Sequence, residues 1–190
     1  MKEESFSELS DGEIIKRITE NGKSHLFEIL YNRYYCKILD KSYSLVKNGE
    51  LAADLTRDIL SKVYEKLSSF KGNSSFGSWI YSITYNHCID YLREKKKLHY
   101  PDWNMQNDLP EIIDEVEEDN TLINYDRLLK LLDLIHTEEK ALLIMKYQDD
   151  LSLKEIGEAL RISESATKMR IKRAKARLLY LYKNLYGSYN

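Results

Sequence analysis

Between Arg161 and Lys183 the chain carries eight lysines and arginines against one acid, Glu164. A local excess of positive charge of this size attracts a polyanion even though the whole chain has a net charge of −2. The spacing inside the run sorts its residues onto two faces. Counted at about 100° per residue, Thr167, Ile171, Ala174 and Leu178 share one narrow stripe, while Ser165, Lys168, Met169, Lys172 and Arg173 fall on the opposite side. The first set can pack and the second can touch something polar. A solvated helix face is the plain alternative for such a charge run.

The residues just before this run decide how the basic face is presented. Ser152-Leu153-Lys154-Glu155 is a capping-box pattern, in which hydroxyl and carboxylate satisfy each other's exposed backbone donors, so a helix is expected to begin there. Its apolar stripe is Leu153, Ile156 and Leu160, with Gly157 allowing close approach of another helix. A short connection, Arg161 to Ser163, leads to the basic helix, for which Ser163 is the expected N-cap. Two short helices, a tight turn and a basic outer face make a helix-turn-helix, whose second helix lies in the major groove with its first residues at base edges.

A second concentration of chemistry lies between Phe76 and Lys97. On a helix, Trp79, Ser82, Asn86, Asp90, Arg93 and Lys97 fall within about 40° of one line, which places a tryptophan on a polar face. One explanation is that Trp79 packs under a neighbouring helix while Arg93, Lys95, Lys96 and Lys97 complement the helix dipole. The other is a stacking platform for unpaired bases beside a phosphate-binding cluster.

Other chemistries find little support. An enzyme acting on nucleic acid needs paired carboxylates, a nucleophile with its base, or a metal set, and none stands at suitable spacing. Cys36 and Cys88 give neither a metal spacing nor a disulfide framework, so a reducing cytoplasm is the expected compartment. His87 and Cys88 are adjacent, and on a helix they point about 100° apart. No metal and no cofactor are expected. Acids are spread through the first twenty residues, so no signal peptide is expected, and no run approaches the roughly 20 apolar residues of a membrane span.

These sites must be positioned by helices. Apolar and aromatic residues recur at threes and fours from about Asp11 to Leu45, which predicts two helices punctuated by Gly22 and Gly49. Leu55, Ile59, Val63 and Leu67 then form one stripe, with Asp54, Arg57, Asp58, Lys62 and Glu65 around it. A glycine and serine loop, Ser68 to Ser75, precedes the Trp79 helix. Both prolines, Pro101 and Pro110, fall in a stretch where Leu98 to Asn120 holds eight acids and no Lys or Arg. This is the expected joint, extended or solvated. Beyond it, Leu128, Leu129, Leu131, Leu132 and Ile135 predict a central helix, and Thr137 with Glu138 and Glu139 predicts the cap and first turn of another, running to about Tyr147. The fold class is all-α: a helical domain over residues 1–97, an acidic, proline-containing linker over 98–120, and a helix-turn-helix domain over 121–190.

Three segments together resemble one family, the extracytoplasmic-function (ECF) group of bacterial RNA polymerase sigma factors, over roughly Leu26 to Leu185. Ala52-Ala53-Asp54-Leu55-Thr56-Arg57-Asp58-Ile59 looks like the family's polymerase-docking helix. Phe76 to Arg93, F-G-S-W-I-Y-S-I-T-Y-N-H-C-I-D-Y-L-R, looks like its promoter-melting helix, and Leu151 to Leu178, with the Arg173-Ala174 pair, is similar to its helix-turn-helix. Arg57 stands where the family commonly has glutamine, and Ala166-Thr167 where it usually has threonine then valine.

The resemblance implies that Asp54, Arg57 and Asp58 contact core RNA polymerase. Phe76, Trp79, Asn86, Arg93, Lys95, Lys96 and Lys97, with the loop before Trp79, would hold the melted non-template strand at the minus-ten element. Ser165, Lys168, Met169, Lys172 and Arg173 would face the minus-thirty-five element, with Arg161 and Arg170 on phosphates, which position without specifying. It also implies an anti-sigma partner. The acidic joint itself suggests a passage through a basic channel of the polymerase, against which a solvating linker is the alternative. Two other classes compete. A helix-turn-helix regulator such as a response-regulator effector domain explains Leu151 to Leu178 but not the Trp79 helix, and a helical adaptor explains the stripes but not the basic face.

Overall fold

The computed structural model describes residues 9–95 and 125–186, and every described element is helical. Lys96, Lys97 and the acidic joint, residues 98–120, lie outside the described residues. The chain divides after Leu92 into two compact units.

The first unit begins with α1 (Asp11–Asn21), opened by a capping box in which the Glu13 amide donates to Ser10 Oγ at 3.3 Å and the Ser10 amide donates to Glu13 at 2.9 Å. It stops at Gly22, whose φ of 65° lies in the left-handed region open to glycine. A 3₁₀ turn, Ser24–Leu26, leads to α2 (Phe27–Val46). Asn48 caps α3 (Gly49–Lys66) by accepting from the Leu51 amide at 2.9 Å. A 3₁₀ turn, Leu67–Ser69, and a loop then enter α4 (Phe76–Lys95). The predicted stripe of α3 is the core: Leu55, Ile59, Val63 and Leu67 are buried together with Ile14, Leu30, Ile38, Ile80, Tyr85 and Ile89. Each such aliphatic side chain contributes about 1.5–3 kcal/mol relative to exposure. Buried hydroxyls are satisfied locally, Thr56 donating to the Ala52 carbonyl at 2.7 Å and Thr84 to that of Ile80 at 3.0 Å.

In the second unit, α5 (Tyr125–Leu132) is shorter than its leucine pattern predicts. Leu131 is buried, Leu129 is exposed, and Ile135 is buried from the turn after the helix, so the run of leucines spans a helix and its exit. The cap of α6 (Thr137–Tyr147) is also displaced by one residue from expectation. His136, not Thr137, is the N-cap, its Nδ1 accepting from the Glu138 amide at 3.3 Å while Glu139 accepts from the His136 amide at 3.2 Å. An imidazole nitrogen carrying a lone pair does the work of a hydroxyl here.

Ser152 caps α7 (Leu153–Leu160) through the predicted capping box, with the Glu155 amide donating to Ser152 Oγ at 3.2 Å and the Ser152 amide donating to Glu155 at 2.8 Å. Arg161 closes this helix in the left-handed conformation, φ 58°. Ser163 opens α8 (Glu164–Tyr186) by accepting from the Ala166 amide at 3.1 Å. A Cβ at Gly157 would lie 2.8 Å from the Ile162 carbonyl oxygen and 3.2 Å from Thr167 Oγ1, which is why glycine occupies the contact between the two helices.

Candidate nucleic-acid interface

On α8 the two expected faces separate. Thr167, Ile171 and Ala174 are buried, whereas Ser165, Lys168, Met169 and Lys172 are exposed and Arg173 is half-buried. The hydroxyl that Thr167 carries into the packing stripe donates to the Ser163 carbonyl at 3.0 Å, so its burial leaves no unmet donor. Met169 is 43% exposed on this surface.

Arg170 departs from expectation. Instead of facing outward toward a phosphate, it turns onto α6, with a guanidinium nitrogen 3.3 Å from Oε2 of the fully buried Glu138. Arg177 approaches the equally buried Glu139 at 3.6 Å. The physical reason is that Arg170 sits only about 60° around the helix from Thr167, at the margin of the packing stripe, where its charge offsets the cost of a buried carboxylate. Arg161 stays on the surface. Burial pushes the Glu139 carboxyl above the usual range, against the pull of Arg177 and the His136 amide, and its Oε1 has no hydrogen-bond partner among the described residues.

On α4, Trp79 is half-buried, with its ring 5.6 Å from Phe76 and nearly parallel to it at 24°. Phe70, from the loop, lies 5.3 Å from the same ring. Trp79 is therefore backed by its own helix start and by the loop. Phe76 was expected at the DNA surface, but it is buried, standing at 89° to Tyr34 and 70° to Phe70. Its place is beneath the Trp79 ring. Ser75 holds this first turn, its Oγ accepting from the Ser78 amide at 3.0 Å, and Gly72 turns the loop at a φ of 71°. Asn86 lies further along α4, half-buried, and Arg93 and Lys95 occupy its last turn. Tyr34 is not among the expected site residues, and Phe70 is included only as part of the loop before Trp79; its own signal is an aromatic side chain in a loop otherwise made of small and polar residues.

On α3, Asp54, Arg57 and Asp58 are exposed, and Arg57 donates to Asp54 one turn away. His87 and Cys88 diverge as their spacing requires. Lys62 Nζ lies 2.8 Å from His87 Nδ1, and burial with the adjacent ammonium lowers the imidazole pKa. Cys88 is buried with its sulfur 3.6 Å from Ser42 Oγ, and burial pushes its thiol up to about 11. Among the described residues, no three His, Cys, Asp or Glu side chains converge as a metal site.

Comparison with known proteins connects the two surfaces. Sigma-70 region 2 matches residues 30–98 and sigma-70 region 4 matches residues 125–178. The ECF RNA polymerase sigma factor SigW of Bacillus subtilis is 31% identical over 182 residues, spanning 87% of this chain and 94% of that protein. The chain belongs to the ECF sigma factors. A second relative of this family, the RNA polymerase sigma factor YlaC of Bacillus subtilis, is 28% identical over 80% of this chain and 88% of its own length. The fold recurs in solved structures: CnrH in complex with the cytosolic domain of CnrY has a TM-score of 0.57 at 19% identity, covering 90% of this chain and 97% of that one. The sigma factor RpoE of Bartonella quintana, in complex with the anti-sigma factor NepR, has a TM-score of 0.55 at 18% identity, covering 83% and 96%. This sigma factor recognises promoters and initiates transcription with RNA polymerase. Its region 2 match contains the α3 face and the Trp79–Phe76 stack, and its region 4 match contains the helix-turn-helix and its basic face up to Leu178.

Proposed function

We propose that residues 1–97 dock on core RNA polymerase and hold melted promoter DNA, that residues 121–190 read duplex upstream, and that residues 98–120 link the two. The observation that carries this reading is Trp79, half-exposed on a polar face and backed by Phe70 and Phe76. Extruding a base costs a few kcal/mol of unstacking, and an aromatic platform returns about 1 to 3 kcal/mol per base. Asn86 adds a hydrogen-bonding edge on the same face, and Lys95, Lys96 and Lys97 add charge for the backbone, whereas Arg93 donates through Nε to the buried Glu138 carboxylate at 2.7 Å.

Asp54, Arg57 and Asp58 form the docking face. Ser165, Lys168, Met169, Lys172 and Arg173 meet the minus-thirty-five element, Arg161 meets a phosphate, and Arg170 anchors the helix that carries them. None of these roles requires bond chemistry, so the protein acts without catalysing a reaction and the RNA synthesis belongs to the polymerase. Its place of action is the cytoplasm. An anti-sigma protein is a further expected partner, a reading supported by the fold's likeness to RpoE of Bartonella quintana, which was solved in complex with the anti-sigma factor NepR.

The test is to combine the purified chain with bacterial core polymerase and transcribe a library of genomic promoter fragments. Association with selective transcription, reduced by Trp79→Ala or Asp54→Ala, is the expected result. No association, with sequence-specific duplex binding by the chain alone, would replace this reading with a duplex-binding regulator.

A further inference from the structure

A stacking platform works only if its own ring is held in the setting that receives a base. The rings beneath Trp79 lead to α1. Phe76 stacks on Trp79 and meets the edge of Tyr34 at 5.5 Å, and a Cβ at Gly77 would lie 3.6 Å from the Tyr34 hydroxyl, so the first turn of α4 rests directly on this phenol. The Tyr34 hydroxyl donates to Asp11 Oδ2 at 2.5 Å, and Arg33 donates to Asp11 Oδ1 at 2.7 Å. A second Arg33 nitrogen donates to the Leu9 carbonyl at 2.7 Å. The start of α1 is thereby fastened to the middle of α2 by charge-assisted bonds, the stronger kind. Burial and the neighbouring carboxylate raise the Tyr34 pKa far above its ordinary value, so the phenol stays a donor.

We infer that the Asp11–Tyr34 hydrogen bond is a positioning device for promoter opening: it fixes the Phe76–Trp79 stack in the orientation that accepts an unpaired base. The inference rests on reading Trp79 as that platform. It makes α1, which precedes the residues matched to sigma-70 region 2, a part of the opening machinery. Without Asp11 the buried phenol loses the anchor that sets its ring against Phe76 and Gly77, and the Phe76 edge contact and the Trp79 stack lose their common reference.

The test uses the full chain carrying Trp103→Phe, which leaves Trp79 as its single tryptophan, by itself for emission and assembled with core polymerase for the binding measurements. Tyr34→Phe, Asp11→Ala and the conservative Asp11→Asn are compared in that background, with Trp79→Ala as reference. The readouts are Trp79 emission, binding of a non-template-strand oligonucleotide from a promoter recovered in the library experiment, upstream duplex binding and core association. Tyr34→Phe and Asp11→Ala are expected to shift the emission and to weaken oligonucleotide binding roughly three- to tenfold, the scale of one hydrogen bond, with core association and duplex binding unchanged. Asp11→Asn, which keeps an acceptor oxygen, should recover part of the loss. If Trp79→Ala weakens oligonucleotide binding while Tyr34→Phe and Asp11→Ala change neither emission nor binding, the inference is overturned and the platform reading stands. If Trp79→Ala has no effect, the platform reading falls and takes the inference with it. Loss of core association together with a lowered unfolding temperature would reduce the bond to a fastening of α1 and would also overturn the inference.

Discussion

Met169 differs from the other side chains on the exposed face of α8 in having no hydrogen to donate. An exposed thioether among lysines fits apolar contact with a thymine methyl in the major groove. Met169→Ala is expected to cost about 1 kcal/mol of discrimination at one base pair of the upstream element. Transcription of a promoter library randomised at that element measures it, and an unchanged preference would remove the role. Glu139 offers a second prediction, in stability. Burial raises its pKa in the folded state, so the folded unit favours the neutral carboxyl. That contribution is fully present below the ordinary glutamate range and is lost as pH rises through the raised value. Glu139→Gln stays neutral and keeps an acceptor for the His136 amide, so the variant should unfold at a higher temperature than the native chain at pH 7. The difference should close on acidification. A lower unfolding temperature at pH 7 would show that the attraction to Arg177 outweighs the burial.

Helix starts were legible because their partners are three residues apart. The capping box at Ser152 and the cap at Ser163 appear where the sequence places them, and Ser152→Ala should lower the stability of the second unit by about 1 kcal/mol, measured by thermal unfolding. The start of α6 was misplaced because Thr137 has the better capping side chain, whereas His136 serves through a nitrogen whose acceptor role depends on its tautomer. The end of α5 falls short of the apolar pattern because Ile135, spaced as if on the helix, is buried from the turn that follows it. Arg170 was readable in principle, since its angle beside Thr167 marks the edge of the packed stripe; its partner was not, because Glu138 lies 32 residues away. The same holds for the rings around Trp79. Asp11, Tyr34, Phe70 and Phe76 come from α1, α2, a loop and α4, and periodicity within any one of these does not report on the others.

For the molecule as a whole, charge segregation matters more than the net value. Eight acids between Leu98 and Asn120 precede the basic run of α8 in the same chain. If the acidic joint lies in a basic channel of the polymerase, changing Asp108, Glu111, Asp114 and Glu115 to lysine should lower holoenzyme transcription about tenfold, on a scale of about 0.2 to 1 kcal/mol per exposed ion pair. Undiminished transcription would make the joint a solvating spacer. Arg161 raises a different whole-protein question. Its left-handed backbone is a conformation that glycine adopts at lower cost, and the strain of such a residue is of order 1 kcal/mol. Arg161→Gly should therefore make the second unit more heat-stable and promoter binding weaker. If Arg161 meets a phosphate as proposed, a population of variants selected for thermal tolerance alone would drift toward glycine there and lose transcriptional output, so that at the turn of the helix-turn-helix durability and fitness would pull in opposite directions.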